Sequence, residues 1–225
     1  MFESGTRAIF FDAVGTLLFP RVPVARTYVE FGRRHGVDLP EADVRLAFRH
    51  AFARQEEIDF KTAWRTDEKR ECARWQAIVS EVLPEADGSF DALWTWFSTP
   101  AAWTVNPDAG DVLRQLTGRG VVLGIASNFD SRLFGVIEAF ADLAPLRRRA
   151  AISSLIGWRK PAAEFFAELV QLAECQAGEI LYVGDDLQND VQGAISAGLK
   201  AILYDPDGQS AEVPRIARLR DLLPP

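Results

Sequence analysis

The fold is decided by residues 7–18, which read Arg7-Ala8-Ile9-Phe10-Phe11-Asp12-Ala13-Val14-Gly15-Thr16-Leu17-Leu18. An apolar run that ends in a carboxylate and then Gly15-Thr16 is typical of a buried parallel strand that delivers Asp12 to a tight turn. Open α/β sheets bind their ligands at this end of their strands. Because an Asp followed by a Gly is also ordinary turn chemistry, the interpretation depends on the rest of the chain.

The composition predicts a globular protein. The chain has 225 residues, of which 48% are hydrophobic and 25% charged, enough for one large core or one core with a smaller unit. A net charge of −7 and a pI near 5.0 argue against nucleic acid or an anionic membrane as the main partner, because both require a basic surface. The basic run 147–149 is short, and a solvated loop is favoured over a phosphate-binding patch.

The sequence predicts a cytoplasmic protein without a membrane anchor, because it lacks the patterns of a membrane span and of a signal peptide. No apolar stretch approaches the ~20 residues that span a bilayer, and the first residues lack the basic and apolar regions of a signal peptide. Cys72 and Cys175 lie far apart in helical patterns, which fits two reduced packing thiols. His35 and His50 have no plausible co-ligands nearby, so a histidine-based zinc site is not expected.

Residues 20–103 carry the pattern of an all-helical insert with no strand signal. Helical spacing of apolar residues predicts helices at 24–34, through 44–52 and near 90–97. Another helix is predicted to begin at Thr66 as its capping residue, with two acidic residues in the first turn.

After residue 104 the pattern changes to strands that alternate with helices. Strands are predicted at 121–126, 150–154, 180–183 and 201–204, with helices between them. Alternation at this spacing indicates βαβ units and a parallel sheet, so the predicted fold class is α/β.

Polar residues follow these strands, and parallel neighbours would bring them into one crevice. They are Asp12, Ser127-Asn128, Lys160 and Asp185-Asp186. Each alone is compatible with a helix cap or a turn, but their joint occurrence at successive strand ends favours a site. Three carboxylates at close range repel one another, so a hard divalent cation with oxygen ligands is expected among them.

The same residues resemble the four motifs of the haloacid dehalogenase superfamily. In chain order the matches are 12–16, Ser127-Asn128, Lys160-Pro161 and 184–190. A helical insert between the first two motifs resembles the subfamily with a type 1 α-helical cap. The amino-acid sequence at 103–105, 127–130 and 157–161 is similar to one branch of that subfamily. The resemblance implies a Rossmann-like parallel sheet with helices on both faces, formed by 1–19 and 104–225, and a cap formed by 20–103.

The resemblance also implies a mechanism on a small phosphorylated molecule. Asp12 would attack phosphorus to form an aspartyl-phosphate, which water then hydrolyses. Magnesium would be held by Asp12, Asp185 and Asp186 with the backbone carbonyl of Val14. The remaining implied roles are Ser127, Asn128 and Lys160 on the phosphate oxygens, Asp190 orienting the site through hydrogen bonds, and Gly15 and Thr16 in support.

Val14 departs from the family pattern. Phosphatases of the superfamily usually have a second Asp here that protonates the leaving oxygen, and loss of such a group costs about 10² to 10⁴ in rate, so weak activity is predicted. Three alternatives stay open: a metal-independent 2-haloacid dehalogenase, a phosphonatase-like C–P hydrolase with Lys61 or Lys69 as a Schiff base, and a non-catalytic module that binds a phosphorylated ligand. Retention of Asp185-Asp186 counts against the first, and charged surroundings of both lysines count against the second.

The candidate substrate residues of the cap are Arg21, Lys61 and Trp64. Residues 60–65 join two predicted helices and combine rings, cations and a hydroxyl, which favours them as a specificity segment. The tryptophans of this region are interpreted mainly as core or cap-to-core contacts: Trp64, Trp75, Trp94, Trp96 and Trp103.

Overall fold

The computed structural model describes residues 5–210 and 213–223. The strands are β1 Ala8–Phe11, β2 Leu18–Pro20, β3 Trp103–Val105, β4 Val122–Ser127, β5 Ala150–Ile152, β6 Ile180–Gly184, β7 Lys200–Tyr204 and β8 Arg215–Ile216. The α-helices are α1 Val24–Arg34, α2 Glu41–Lys61, α3 Glu68–Val82, α4 Ser89–Phe97, α5 Ala109–Gly118, α6 Arg132–Glu138, α7 Ser153–Ile156, α8 Ala163–Ala173 and α9 Gly193–Ser196. None of the helices in these ranges is both long and apolar enough to cross a membrane.

Six strands form one sheet in the order β5-β4-β1-β6-β7-β8, and every pairing in it is parallel. The first strand of the chain lies inside the sheet, between β4 and β6, where both of its faces are covered. This position explains why β1 is apolar throughout and fully buried.

Successive side chains of β1 point to opposite faces of the sheet, and each face has its own core. Ile9 and Phe11 belong to a hydrophobic cluster that includes residues of α5 and α6. Ala8 and Phe10 belong to a second cluster that includes Phe165 and other residues of α8. The predicted α/β fold, with a parallel sheet and helices on both faces, is therefore confirmed.

Helices α1 to α4 pack around a third hydrophobic cluster, which includes Tyr28, Val44, Ile78 and Leu93. The prediction that 20–103 contains no strand is wrong at its two ends, because Pro20 in β2 pairs with Trp103 in β3. This antiparallel ribbon joins segments 83 residues apart, and each strand is too short to show a period of two in the sequence. The division into a core and a cap at 19/20 and 103/104 stays a prediction.

The start of α3 also differs from the prediction. Its N-cap is Asp67 rather than Thr66, and the Asp67 carboxylate accepts a hydrogen bond from the backbone N–H of Arg70 at 2.6 Å. The Thr66 hydroxyl instead donates to the buried Glu71 carboxylate at 2.8 Å. Both residue types cap helices well, so only the tertiary partner of Thr66 decides between them.

Candidate active site

The carboxyl ends of three adjacent strands bring the predicted site residues together. Phe11 in β1 is in register with Ile125 in β4 and with Val183 in β6, so the residues that follow these positions meet at one edge of the sheet. Asp12 comes directly after β1, and Ser127 ends β4. The cavity at this edge is lined by Asp12, Val14, Ser127, Asn128, Lys160, Asp185, Asp186 and Asp190, together with side chains of the helices above.

Lys160 is the hydrogen-bonding centre of the site. Its ammonium donates to Asp12 Oδ1 at 2.6 Å, to Asp190 Oδ1 at 2.5 Å and to the Tyr182 hydroxyl at 2.8 Å. The side chain is 3% exposed. Burial alone lowers the pKa of Lys160, but the carboxylates of Asp12 and Asp190 outweigh it and raise that pKa well above its ordinary value. The ammonium is therefore charged.

Asp12, Asp185 and Asp190 form an acidic cluster whose carboxylate oxygens lie within 4.8 Å of one another. Burial, with repulsion from Asp190 and Asp185, raises the pKa of Asp12 well above its ordinary value, although Lys160 opposes this shift. Asp185 faces the cavity, and desolvation by the surrounding protein followed by repulsion from Asp190 raises its pKa to about 6. A single ammonium among three carboxylates leaves an excess of negative charge, and oxygen donors of this kind fit a hard divalent cation.

The turn after Asp12 is built to approach Asp185. Gly15 has φ = +100°, and a Cβ atom at this position would collide with the Asp185 carboxylate. The Thr16 hydroxyl is 3.4 Å from Asp185 Oδ1 and donates to it. Only glycine combines this backbone conformation with so close an approach, so Gly15 and Thr16 hold Asp185 next to the Asp12 turn.

Asn128 binds the backbone on both sides of Lys160. Its Oδ1 accepts from the Lys160 N–H at 2.8 Å, and its Nδ2 donates to the Lys160 carbonyl at 3.1 Å. The side chain predicted to hold phosphate oxygens thus fixes the lysine that contacts Asp12. The hydroxyl-bearing Ser127 is buried beside it and lines the cavity.

The two aspartates that follow β6 have different environments. The Asp186 carboxylate caps the next helical turn: it accepts from the N–H groups of Gln188 and Asn189 at 2.8 and 2.9 Å and from Asn189 Nδ2 at 3.0 Å. It is not part of the acidic cluster, where the third carboxylate is Asp190. A π-helical turn at Leu187–Gln192 returns Asp190 to the site, where its Oδ2 accepts from the Asp186 N–H at 3.0 Å. Asp186 also lines the cavity, so the expectation that it helps to hold the ion stays a prediction.

The cavity has a volume of about 340 Å³ and extends from Asp12 into the space between helices α1 to α4. Much of its wall consists of aromatic rings, among them Trp75, Trp94 and Trp103. The interpretation of the tryptophans as core residues is therefore incomplete, since these three also face the cavity.

The structure does not bring the three predicted cap residues to the cavity. Arg21 donates to the backbone carbonyls of Ala101 and Trp103, both at 3.0 Å, and these hydrogen bonds stabilise the β2–β3 ribbon. Lys61 ends α2 in solvent, and Trp64 packs edge-on against Phe60 at 5.9 Å. None of the three is among the described residues that line the cavity, and the exposed Lys69 is not among them either. The sequence pattern selected the three residues by type, whereas their positions depend on how the β2–β3 ribbon and the end of α2 are placed in the fold.

Two residues of the site were missed by the sequence patterns. Tyr182, inside β6, accepts from Lys160 and donates to the carbonyl of Ala126 at 2.9 Å. Arg159, directly before Lys160, is 3% exposed and pairs with Glu71 of α3. A hydroxyl in an otherwise aliphatic buried strand, and a second cation beside Lys160, were the available signals.

A family model described as a haloacid dehalogenase-like hydrolase matches residues 6–198. The chain therefore belongs to the haloacid dehalogenase-like hydrolase family and is an enzyme of the hydrolase class. The resemblance based on the four motifs is confirmed.

Several known proteins are similar over much of the chain. Haloacid dehalogenase-like hydrolase domain-containing protein 3 from Bos taurus is 29% identical over 209 residues, covering 88% of this chain and 81% of that protein. Ribulose-1,5-bisphosphate 5-phosphatase from Halopiger xanaduensis is 30% identical over 120 residues, covering 53% and 49%. The structure of the hydrolase YfnB from Bacillus subtilis bound to magnesium has a TM-score of 0.74 at 19% identity and covers 96% of each chain. At this identity the structural likeness shows the fold.

Proposed function

We propose that this protein hydrolyses phosphate monoesters of small molecules through a phosphorylated Asp12, with Mg²⁺ as cofactor. The observation that carries the proposal is the position of Asp12: it contacts Lys160 within a cluster of three carboxylates at the sheet end of a cavity. Two similar proteins support it, since one is a phosphatase of a sugar bisphosphate and another is bound to magnesium. The cytoplasmic location stays a prediction.

The reaction consists of two phosphoryl transfers, the first to a carboxylate oxygen of Asp12 and the second to water. Lys160 holds Asp12 Oδ1, so the other carboxylate oxygen is the nucleophile that attacks phosphorus. The bond from phosphorus to the ester oxygen breaks, and that oxygen leaves with the electron pair and takes a proton from water. A water molecule then attacks the phosphorylated Asp12, releasing inorganic phosphate, the carboxylate and a proton.

The residues that would hold the cation are Asp12, Asp185 and the backbone carbonyl of Val14. When bound, the cation supplies positive charge that lowers the pKa of Asp12 and neutralises phosphate oxygens. Asp186 stays a further candidate ligand: it lines the same cavity, and the hydrogen bonds that its carboxylate accepts from Gln188 and Asn189 would orient it.

Other residues position the reacting groups. The Lys160 ammonium and the Ser127 hydroxyl would bind phosphate oxygens as negative charge gathers on them. Asn128 keeps the Lys160 backbone in place, and Asp190 orients the ammonium through its 2.5 Å hydrogen bond. Val14 offers no proton to the leaving oxygen, so esters of acidic alcohols should react faster than alkyl phosphates.

The test is release of inorganic phosphate from acetyl phosphate and phenyl phosphate, with Mg²⁺ or with excess chelator. We expect release that needs Mg²⁺ and falls by about 10³-fold or more in Asp12→Asn, because the amide is not a nucleophile. Asp38→Asn, which alters an exposed carboxylate paired with Arg33, is the matched control and should keep full activity.

Other outcomes would select the alternatives. Halide release from 2-chloropropionate without metal would favour a dehalogenase and contradict the proposal. Retained binding of phosphate esters without turnover, in the presence of Mg²⁺, would favour a binding module and contradict it as well.

A further inference from the structure

The cavity above Asp12 differs in character between its two ends. At the sheet end lie Asp12, Lys160 and the acidic cluster, which suit a phosphate group and a cation. At the helix end the walls are rings and aliphatic chains, including Phe48, Phe52, Phe90 and the tryptophans at 75 and 94. A phosphate ester bound at the sheet end would therefore place its alcohol part against apolar surface.

The arginines of the cavity wall are already paired. Arg132 donates from Nε and Nη2 to the two oxygens of Asp130, both at 2.7 Å, and from Nη1 to the Trp94 carbonyl at 2.9 Å. Arg159 pairs with Glu71 and lies 3.7 Å from Glu56 Oε1. Within the described lining, Lys160 is the other cation, and it belongs to the phosphate end. Both guanidiniums of the described lining are thus engaged by carboxylates, which disfavours a second anionic group on the substrate.

The carboxylates of the wall are committed in the same way. Glu56 Oε1 accepts from Arg74 Nη2 at 2.6 Å, and the Asp186 oxygens accept three N–H bonds. Outside the acidic cluster, the carboxylates of the described lining are thus paired with arginines or cap a helical turn, which stabilises their ionised form and disfavours either as a proton donor to a leaving oxygen. A leaving group that departs as a stable anion is favoured, and a phenol meets this condition better than an alkyl alcohol.

We infer that the preferred substrate is a phosphate monoester of an uncharged aromatic alcohol, with its ring between the aromatic side chains of α2, α3 and α4. This rests on the proposed function and deepens it by naming the substrate class. The size is suitable: an apolar cavity of about 150 Å³ holds one benzene ring, so 340 Å³ accommodates one or two fused rings with a phosphate. Asp12 attacks phosphorus, the phosphorus–phenol oxygen bond breaks, and the phenolate leaves with its electron pair and is protonated by water.

The experiment compares kcat/KM for 1-naphthyl phosphate with that for acetyl phosphate in the Mg²⁺-loaded enzyme. Acetyl phosphate has the better leaving group but no ring. A preference of about tenfold or more for the naphthyl ester would therefore show that the ring binds in the cavity, because leaving-group chemistry favours acetyl phosphate. Val24→Trp narrows the cavity from α1 and should lower kcat/KM for the naphthyl ester by about tenfold, with acetyl phosphate nearly unchanged. Leu46→Trp, an exposed position on α2 outside the described lining, is the matched control. Val24→Phe replaces Val24→Trp if the larger substitution prevents folding.

The two proposals fail in different ways. Asp12-dependent turnover of acetyl phosphate with no preference for the naphthyl ester, or equal loss for both esters in Val24→Trp, would overturn the substrate inference and leave the hydrolase proposal standing. If no ester is turned over, the hydrolase proposal fails, and calorimetry with phenylphosphonate and methylphosphonate decides the inference. Tighter binding of phenylphosphonate that is lost in Val24→Trp supports an aromatic ligand, and equal or absent binding overturns it.

Discussion

Lys160 determines the geometry around Asp12, because all three donors of its ammonium have buried acceptors. They bind the Asp12 carboxylate directly after β1, the Asp190 carboxylate of the π-helical turn and the hydroxyl of Tyr182. Asn128 holds the lysine backbone from the end of the neighbouring strand. A charged group that is buried in this way has little freedom to move, so Asp12 is oriented before any ligand binds.

At Val14 we predict that Val14→Asp raises turnover of alkyl phosphates, by up to about 10² to 10⁴, because it adds a proton donor at the cavity wall. Turnover of phenyl phosphate should change much less, since its leaving group needs no proton. Phosphate release under saturating Mg²⁺ measures both. Val14→Asn, which has nearly the same shape but no acidic proton, is the control. Lower turnover of both esters in Val14→Asp would show that a fourth carboxylate only adds repulsion.

At the scale of elements, the first residue of α3, Glu68, contacts two segments that follow strands of the large sheet, at Ser131 and at Ser154. Glu68 accepts from the Ser131 N–H at 2.9 Å and from the hydroxyls of Ser131 and Ser154. Nearby, the Thr66 N–H donates to the Gly157 carbonyl and the Arg159 N–H donates to the Trp64 carbonyl. The loop before α3 is therefore bound to the segment that carries Lys160.

The contact at Glu68 should make stability depend on pH. Partial burial raises the pKa of Glu68, but hydrogen bonds from Ser154 and Ser131 outweigh it, so the pKa lies below the ordinary 4.5. Because the folded pKa is depressed, the contribution is present above the ordinary value and is lost as the pH falls through the folded value. Urea unfolding of wild type and Glu68→Gln should differ at neutral pH and converge in acid.

The control for this prediction is Glu57→Gln, on the exposed face of α2. An equal pH-dependent difference in that variant would indicate a general charge effect rather than the contact with Ser131 and Ser154.

At the scale of the whole molecule, a buried ionic network joins the helices of 20–103 to the segment before Lys160. It contains three arginines and three carboxylates: Arg70, Arg74, Arg159, Glu56, Asp59 and Glu71. Asp59, Glu71 and Arg74 are fully buried. The network has no net charge, so removing one member leaves an uncompensated ion away from water.

We predict that Arg159→Met lowers the free energy of unfolding by about 3–5 kcal/mol, because Glu71 and Asp59 would lose a buried partner. Urea denaturation measures the loss. Arg45→Met removes an exposed arginine from its pair with Glu41 and should cost less than about 1 kcal/mol. Equal losses in the two variants would mean that water reaches the network.

The sequence predicted the parts of the site that depend on local pattern. Asp12, Ser127 and Asp185 each stand where an apolar strand ends, and parallel pairing brings strand ends together whatever the loops do. The sequence could not show whether Asp186 or Asp190 joins Asp12 and Asp185 in the acidic cluster, because this depends on the π-helical turn at Leu187–Gln192. Arg21, Lys61 and Trp64 were chosen by residue type, and residue type does not define the direction of a loop.

The amino-acid sequence by itself determined that this protein has an α/β fold with acidic and basic groups at the strand ends, because hydrophobic periodicity and strand-end residues are local properties of the chain. The resemblance of its four motifs to the haloacid dehalogenase superfamily added the expectation of a hydrolase. Only the tertiary structure decided that Asp190 completes the acidic cluster, that Pro20 pairs with Trp103 and that the tryptophans at 75, 94 and 103 face one cavity. These are contacts between residues far apart in the chain, and their geometry is set by how the helices and the sheet pack against each other.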